Sequence, residues 1–302
     1  MPNEFYQHFW GQLIEEDLRR LIESALLEDT EHSGDITSLA LVASNIGGSA
    51  AVVARQKGIL AGMQVIAIVL QTVDTKLSLT PFVNNSHAVI PGTKIAEIKG
   101  PALSLLAAER LILNFISRLS GIATLTRQYV DAVSGTKARI FDTRKTTPGW
   151  RRLEKYAVVC GGGTNHRTGL SDAVLVKDNH LFLGQKSLPD FSAADAVRKA
   201  QDFTRQHFTQ PVVIEVEVDT LEQLREVLSA EPDIVLLDNM SVEQLQEAVQ
   251  IRNQFNTKVE LEASGGINLH TVRSVAQTGV ERISVGALTH SAVSLDFALD
   301  WQ

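Results

Sequence analysis

The sequence predicts an α/β protein in which an amino-terminal region of mixed α+β character is followed by a parallel α/β barrel. Three observations carry this prediction. In the second half, short β runs alternate with amphipathic helices at intervals of 21 to 40 residues, the grammar of right-handed βαβ units and a parallel sheet. Nearly every one of those β runs ends in polar or glycine residues, as in FDTRK, LVKDN, LLDN, EASGG and SVGA. The first half instead mixes short β pieces with isolated helices. Periodicity alone leaves a doubly wound sheet open. The scattered strand ends favour a barrel, because a barrel draws its site from the carboxyl ends of many strands whereas an open sheet concentrates it at one switch point.

Taken in order, residues 12 to 29 place Leu18, Leu21, Ile22, Ala25 and Leu26 at helical spacing, and the pattern stops at the turn EHSGD around Gly34. Residues 48 to 100 carry the β-like pieces SAAVVAR, LSLTPFV and KIAEIKG, a helix near 62 to 72, and turn signals at Asn84-Asn85 and Pro91-Gly92. A long helical pattern runs from Pro101 to about Val133 and contains the domain boundary, set at 115/116. Strands are predicted at 138 to 142, 173 to 177, 212 to 218, 233 to 237, 259 to 263 and 282 to 285. The intervening segments TLEQLREVLSA and SVEQLQEAVQIRNQF each open with a Thr or Ser cap.

A chain of 302 residues with 44% hydrophobic and 21% charged residues suits two globular domains and excludes disordered, collagen-like and coiled-coil classes. The most apolar stretch, 58 to 73, falls short of the roughly 20 residues that span a bilayer and contains Gln64 and Gln71, so it reads as a buried helix. The amino terminus lacks a secretory pattern and reads as the start of the mature protein. The single cysteine, Cys160, cannot form an intrachain disulfide and argues against structural zinc, so a reducing, cytoplasmic setting fits.

The net charge of −7 disfavours nucleic-acid and membrane binding, yet residues 139 to 177 hold eight basic residues against three acidic ones. Arg151, Arg152 and Lys155 sit at helical spacing after Pro148-Gly149 and read as a solvated helix face. Arg144, Lys145, Arg167 and Lys177 fall at strand ends or beside a glycine turn, where converging cations imply a polyanionic small molecule. His166, in GGGTNHRTG, reads either as a structural histidine or as a ligand contact beside Arg167. The three consecutive glycines there are not a dinucleotide fingerprint.

In VIEVEVD, alternation puts Glu215 and Glu217 on one strand face, inward in a barrel or, if the strand is an edge, in solvent. Asp238 closes the apolar run IVLLD, and the Glu217 and Asp238 carboxylates suit Mg²⁺ or sugar hydroxyls. EASGGIN (262 to 268) and ISVGALTH (283 to 290) place small residues after late strands, the usual phosphate site of parallel barrels. The residues thus point to an enzyme that binds a phosphorylated sugar with Mg²⁺ and a second, carboxylated substrate.

The chain closely resembles the quinolinate phosphoribosyltransferase family along essentially its whole length. The matching pieces are GDITS (34 to 38), AERLILNFISRLSGIATLT (108 to 126), FDTRKTTPGWR (141 to 151), KYAVVCGGGTNHRTGLSDAVLVKDNH (155 to 180), EVEVDTLEQ (215 to 223), DIVLLDNMS (233 to 241), LEASGGIN (261 to 268) and ISVGALTH (283 to 290).

This resemblance implies a type II phosphoribosyltransferase fold. In that fold an α/β sandwich, residues 1 to 115 completed by 291 to 302, precedes an incomplete α/β barrel, residues 116 to 290. It implies transfer of phosphoribose from 5-phosphoribosyl-1-pyrophosphate to quinolinate with decarboxylation, giving nicotinate mononucleotide, pyrophosphate and CO₂ in NAD biosynthesis.

By the same resemblance, quinolinate meets Arg110, Thr143, Arg144, Lys145, His166, Arg167 and Lys177. Lys145, Glu217 and Asp238 are the catalytic positions, and Glu217 and Asp238 face ribose and Mg²⁺. Phosphate meets Ser264, Gly265, Gly266, Val285, Gly286 and Ala287. Arg110 is implied to enter a neighbouring subunit's site, so a homodimer is the catalytic unit, with a hexamer open as the larger assembly.

Three other readings are weighed beside this one. The first is a substrate-shifted relative, such as the molybdenum-associated pyrophosphorylase-like proteins, which predicts changes in the cation set that are not found. The second is a Schiff-base aldolase using Lys177. The third is a non-catalytic sensor of pyridine carboxylates or sugar phosphates, disfavoured by retention of both Glu217 and Asp238.

Overall fold

The computed structural model describes residues 4–31, 33–255 and 258–302. The start read in the sequence at residues 1–3, and His32 of the EHSGD turn, lie outside the described residues. In chain order the first half forms α1 (Gln12–Thr30), α2 (Ile36–Leu41), β1 (Gly47–Ala54), β2 (Gly58–Ile59), α3 (Met63–Val73), β3 (Ser78–Pro81), β4 (Ala88–Val89), β5 (Lys94–Pro101) and α4 (Ala102–Ala132). It continues with β6 (Arg139–Phe141), α5 (Arg151–Cys160), β7 (Ala173–Val176), α6 (Asp178–Gln185), α7 (Ala193–His207), β8 (Val213–Val218) and α8 (Leu221–Leu228). The remaining elements are β9 (Ile234–Asp238), α9 (Val242–Gln254), β10 (Glu260–Ser264), α10 (Val272–Gln277), β11 (Arg282–Ser284), α11 (Ala287–His290) and β12 (Phe297–Trp301).

The chain divides into two compact units. One comprises residues 8–127, 146–162 and 288–302; the other comprises the amino-terminal residues through Gln7, 128–145 and 163–287.

The first unit is built on a four-stranded sheet in the order β12-β1-β5-β3, with antiparallel pairing throughout. β12 completes it by pairing Phe297 with Ala54 and Trp301 with Ala50. The apolar stretch at 58 to 73 supplies α3, which buries Met63, Val65, Ile66, Ile68, Val69 and Leu70. Burying each such side chain contributes about 1.5–3 kcal/mol, so this run is core. No described helix is long and apolar enough to cross a membrane. GDITS is a helix start: Gly34 holds φ at +69° and the Asp35 side chain caps α2 by accepting from the Ser38 amide at 3.0 Å. Gly121 lets α4 meet the 293–294 backbone, since a Cβ there would lie 2.1 Å from the Val293 carbonyl oxygen.

Segment 146–162, with α5, also belongs to this unit rather than to the barrel unit. Its helix is not a solvated face: Glu154 and Lys155 are fully buried, as are Leu153, Ala157 and Val158. The solvated reading of Lys155 is therefore corrected. The basic spacing conceals a helix enclosed on most sides, and of its three basic residues Arg151 and Arg152 keep partial exposure. Arg152 uses it to pair with Asp17 of α1 at 2.8 Å.

The second unit is the predicted parallel barrel, open on one side. Its six strands run in the order β6-β11-β10-β9-β8-β7. From β7 to β11 each strand lies beside its successor, and β6 joins the far edge by pairing in parallel with β11. β6 and β7 are the two edges. The helices start where the sequence placed their caps: Thr220 and Ser241 each accept from the amide three residues on, Gln223 and Gln244, at 3.2 Å. β8 lies between β7 and β9, so the edge-strand alternative for its glutamates is excluded.

Candidate active site

Parallel pairing of all six strands gathers their carboxyl ends on one rim, and the predicted residues gather with them. Thr143, Arg144 and Lys145 follow β6, Lys177 follows β7, and Glu217 lies one residue before the end of β8. Asp238 closes β9, Ser264 closes β10 with Gly265 and Gly266 after it, and Val285 to Ala287 follow β11. Arg110 lies on α4 of the other unit, its side chain largely exposed and its guanidinium 4.0 Å from Glu109.

The cationic side of the rim is under electrostatic load. Burial and the neighbouring Arg144 guanidinium both push Arg167 below the usual arginine range. Arg144 Nε is itself buried without a hydrogen-bond partner, so two like charges lie close with a donor left over. That arrangement stabilises an incoming anion. Lys177 is ion-paired with Glu217, whose side chain is mostly buried. Beside them a cavity of about 200 Å³ is lined by Asp178, Glu217 and Asp219 among others.

The acidic side is held by a residue that the sequence reading passed over. Asn239 adopts φ +52°, donates its side-chain amide to Asp238 at 2.7 Å and its backbone N–H to the Ser264 carbonyl at 2.9 Å. Gly265, at φ +92°, accommodates it: a Cβ there would lie 2.1 Å from Asn239 Oδ1. Asparagine tolerates the left-handed region better than other non-glycine residues, so Asn239 can turn the chain at the strand end. The only signal for it was the asparagine following IVLLD.

His166 takes a position different from that of the other predicted contacts. Its imidazole is almost fully buried, with Nε2 3.0 Å from Glu215 and 3.4 Å from Glu262, and Nδ1 accepting the Arg167 N–H at 2.8 Å. Its ring faces the barrel interior. There a ladder of alternating charge crosses the strands. Glu4 meets Arg139 at 2.5 Å, Arg139 meets Glu260 at 3.5 Å, and Arg282 meets Glu260 at 3.0 Å and Glu262 at 2.9 Å. Burial pushes Glu215 upward and outweighs the opposing pull of His166. Burial also pushes Glu262 upward, but His166 and Arg282 overcome it and hold Glu262 at about 2.

The His166, Glu215 and Glu262 ligand atoms lie within 4.8 Å of one another, as a cation site would require. The Arg282 guanidinium already supplies positive charge there through Glu262, while both Glu215 carboxylate oxygens and Glu262 Oε1 are buried without a hydrogen bond.

The loop carrying His166 and Arg167 is fixed by Asp142, which is fully buried and accepts from the His166 amide at 2.8 Å and the Asn165 side chain at 2.7 Å. Backbone bonds from Thr164 to Ile140 and from Asp142 to Thr164 dock the same loop along the free edge of β6.

The quinolinate phosphoribosyl transferase C-terminal domain model matches residues 122–300, and the N-terminal domain model matches residues 35–120. The chain belongs to the quinolinate phosphoribosyltransferase family. Nicotinate-nucleotide pyrophosphorylase [carboxylating] of Mycobacterium leprae is 43% identical over 284 residues, covering 93% of this chain and 96% of that one. The probable enzyme of the same name from Bacillus subtilis is 39% identical over 283 residues, covering 94% and 93%. Among solved structures, the nicotinate-nucleotide pyrophosphorylase from Francisella tularensis superposes with a TM-score of 0.88 at 38% identity, covering 99% of this chain and 100% of that one. The open barrel and the antiparallel sheet are thus those of a two-domain type II phosphoribosyltransferase, and this family member is a pentosyl-transferring enzyme.

Proposed function

We propose that this chain transfers the phosphoribosyl group of 5-phosphoribosyl-1-pyrophosphate to the ring nitrogen of quinolinate with loss of CO₂, forming nicotinate mononucleotide in NAD biosynthesis. The observation that carries the reading is a buried cation pair, Arg167 buried and Arg144 with its Nε buried and without a hydrogen-bond partner. Two such guanidinium groups at one rim match a planar dicarboxylate.

Thr143, Arg144, Lys145, Arg167 and Lys177 orient quinolinate so that its ring nitrogen, a weak nucleophile, points at the anomeric carbon. His166 contributes from below, through the Arg167 N–H that it accepts. The nitrogen lone pair forms the new bond as the bond from C1 to pyrophosphate oxygen breaks, the electron pair leaving with pyrophosphate. Glu217 and Asp238 offset the positive charge that grows on the ribose, and Lys145 adds positive charge for the leaving group. Ser264 to Gly266 and Val285 to Ala287 are the small-residue loops that meet phosphate, and the Val285 N–H, donated to the Phe141 carbonyl at 2.9 Å, fixes the second of them to the end of β6. In the N-ribosylated ring, the bond from C2 to its carboxyl group breaks, CO₂ leaves, and the ring carbon takes up a proton. The ion pair of Lys177 with Glu217 disfavours attack by that lysine on a carbonyl.

Glu217 and Asp238 are hard oxygen donors on adjacent parallel strands, a donor set that fits Mg²⁺. Bound there, Mg²⁺ supplies charge that stabilises pyrophosphate as a leaving group. Arg110 completes the site from a second copy of the chain, a reading supported by its exposed guanidinium. A reducing cytoplasmic setting is supported by the single, buried, free Cys160.

The test is to mix the purified chain with quinolinate, 5-phosphoribosyl-1-pyrophosphate and Mg²⁺ and to follow nicotinate mononucleotide, with nicotinate as the control acid. Product is expected from quinolinate alone. Arg144→Ala is expected to lower kcat/KM about 10- to 100-fold, the effect of losing a charge-assisted bond. No product from a folded chain would overturn the reading in favour of a substrate-shifted relative or a sensor.

A further inference from the structure

We propose that residues 4–7 are a clamp that seats the loop 164–167, with Phe5 and Gln7 acting as positioning residues for Arg167 and so for affinity toward the pyridine dicarboxylate. The proposal rests on the reading of Arg144 and Arg167 as cations that bind this substrate.

The clamp grips at three points. Phe5 is buried in a cluster with Ala173, Val213 and Ile234, at the amino-terminal ends of β7, β8 and β9, where it fills the barrel floor. Its ring packs against the His166 imidazole, with centroids 4.4 Å apart and planes inclined by 30°, and the Arg282 guanidinium lies 5.1 Å from its centre. Gln7 makes a two-way amide pair with the loop: Asn165 N–H donates to Oε1 at 2.8 Å, and Nε2 donates to the Asn165 carbonyl at 3.1 Å. Glu4 anchors the outer end on Arg139 at 2.5 Å.

The coupling to the site is short. The imidazole that rests on Phe5 accepts the Arg167 N–H through Nδ1, so a tilt of the ring moves the Arg167 backbone directly. The Arg167 guanidinium is itself tied back to the Ala173 carbonyl at 3.3 Å, so its placement depends on the loop that carries it. Asp142 holds the loop from the β6 side and Gln7 holds it from the amino-terminal segment. Truncating Phe5 opens a void under the imidazole, and truncating Gln7 removes a donor and an acceptor from Asn165. Either change lets the loop relax without touching a substrate contact.

The experiment uses the full chain in wild-type, Phe5→Ala, Gln7→Ala and Phe5→Leu forms, the last refilling most of the void. Hydrogen exchange is measured at the amides of residues 165–167. Dissociation constants are measured for quinolinate and, separately, for 5-phosphoribosyl-1-pyrophosphate with Mg²⁺.

The expected result is faster exchange at 165–167 and a quinolinate dissociation constant raised about tenfold in both alanine variants, short of the roughly 100-fold attached to a 1 Å misplacement of reacting groups. The phosphoribosyl donor should bind as before, and Phe5→Leu should recover most of both changes. Unchanged exchange would overturn the clamp. Faster exchange with unchanged quinolinate affinity, or equal weakening of both ligands, would overturn the positioning role. If the wild-type chain binds no quinolinate, the functional reading itself fails. The exchange data then still decide whether the segment holds the loop.

Discussion

Arg118 and Glu154 form a buried brace: the Arg118 guanidinium donates through Nε at 3.2 Å and Nη2 at 2.7 Å to a single oxygen of a Glu154 carboxylate that has no solvent exposure. The same carboxylate accepts the Thr147 hydroxyl at 2.9 Å and the Thr147 amide at 3.2 Å, while Arg118 Nη1 donates to the Ala292 carbonyl at 2.9 Å. One pair therefore fastens α4, the 146–150 segment and the chain beyond α11. Breaking a buried pair leaves an uncompensated charge, so Glu154→Ala should cost about 3–5 kcal/mol in urea unfolding. Glu154→Gln, which keeps hydrogen-bonding capacity, should cost clearly less. Equal losses in the two variants would show that the charge itself contributes nothing.

Gly265 and Asn239 should prove energetically coupled. Gly265→Ala meets both a positive φ and a 2.1 Å clash with Asn239 Oδ1, and should cost about 1–3 kcal/mol. Under the proposed reaction its KM for the phosphoribosyl donor should rise more than its KM for quinolinate. Combining it with Asn239→Gly removes the clashing oxygen and should return part of the lost stability. A strictly additive double mutant would sink the coupling.

Acid should loosen the barrel through Glu262. Its folded value of about 2 lies below the unfolded 4.5, so its stabilisation is present above about pH 4.5 and lost as pH falls toward 2. In Glu262→Gln that contribution is missing at every pH. The stability gap between wild type and variant should thus be widest near neutrality and narrow steadily between pH 4.5 and about 2 when unfolding midpoints are compared. A constant gap across that window would contradict the ion-pair account.

Cys160 should be silent in the native protein. It is buried, and burial pushes its thiol above the usual cysteine range. A disulfide reagent should therefore label nothing in the folded chain and one thiol per chain in urea. Rapid native labelling would mean that α5 opens locally.

Much of this molecule was legible in its sequence because period and punctuation agreed. The β runs with polar ends became strands with site residues on one rim, and Thr220 and Ser241 capped the helices assigned to them. Alternation in VIEVEVD correctly turned Glu215 inward, yet nothing local indicated its partners. Glu262 and Arg282 come from other strands, and the spacing that unites them is set by register. Lys155 misled because a basic triplet at helical spacing looks the same whether a helix faces water or is enclosed. Phe5 and Gln7 carried no signal at all, since a short extended segment has no periodicity to read. Asn239 was visible only as the residue after a carboxylate, and its left-handed backbone became meaningful once Gly265 was seen beside it.

The strand order also has a consequence for synthesis. From β7 through β10 every strand has its successor as a neighbour, so that part of the layer can assemble as the chain leaves the ribosome. β6 cannot, because the strand it pairs with, β11, is translated roughly 140 residues later. β1 likewise waits roughly 240 residues for the antiparallel partner that β12 provides on its outer side. A nascent chain therefore leaves β6, the far side of β10 and the outer side of β1 unpaired until residues 282–301 emerge, and it is during that interval, rather than in the finished fold, that this protein is most open to mispairing with other chains.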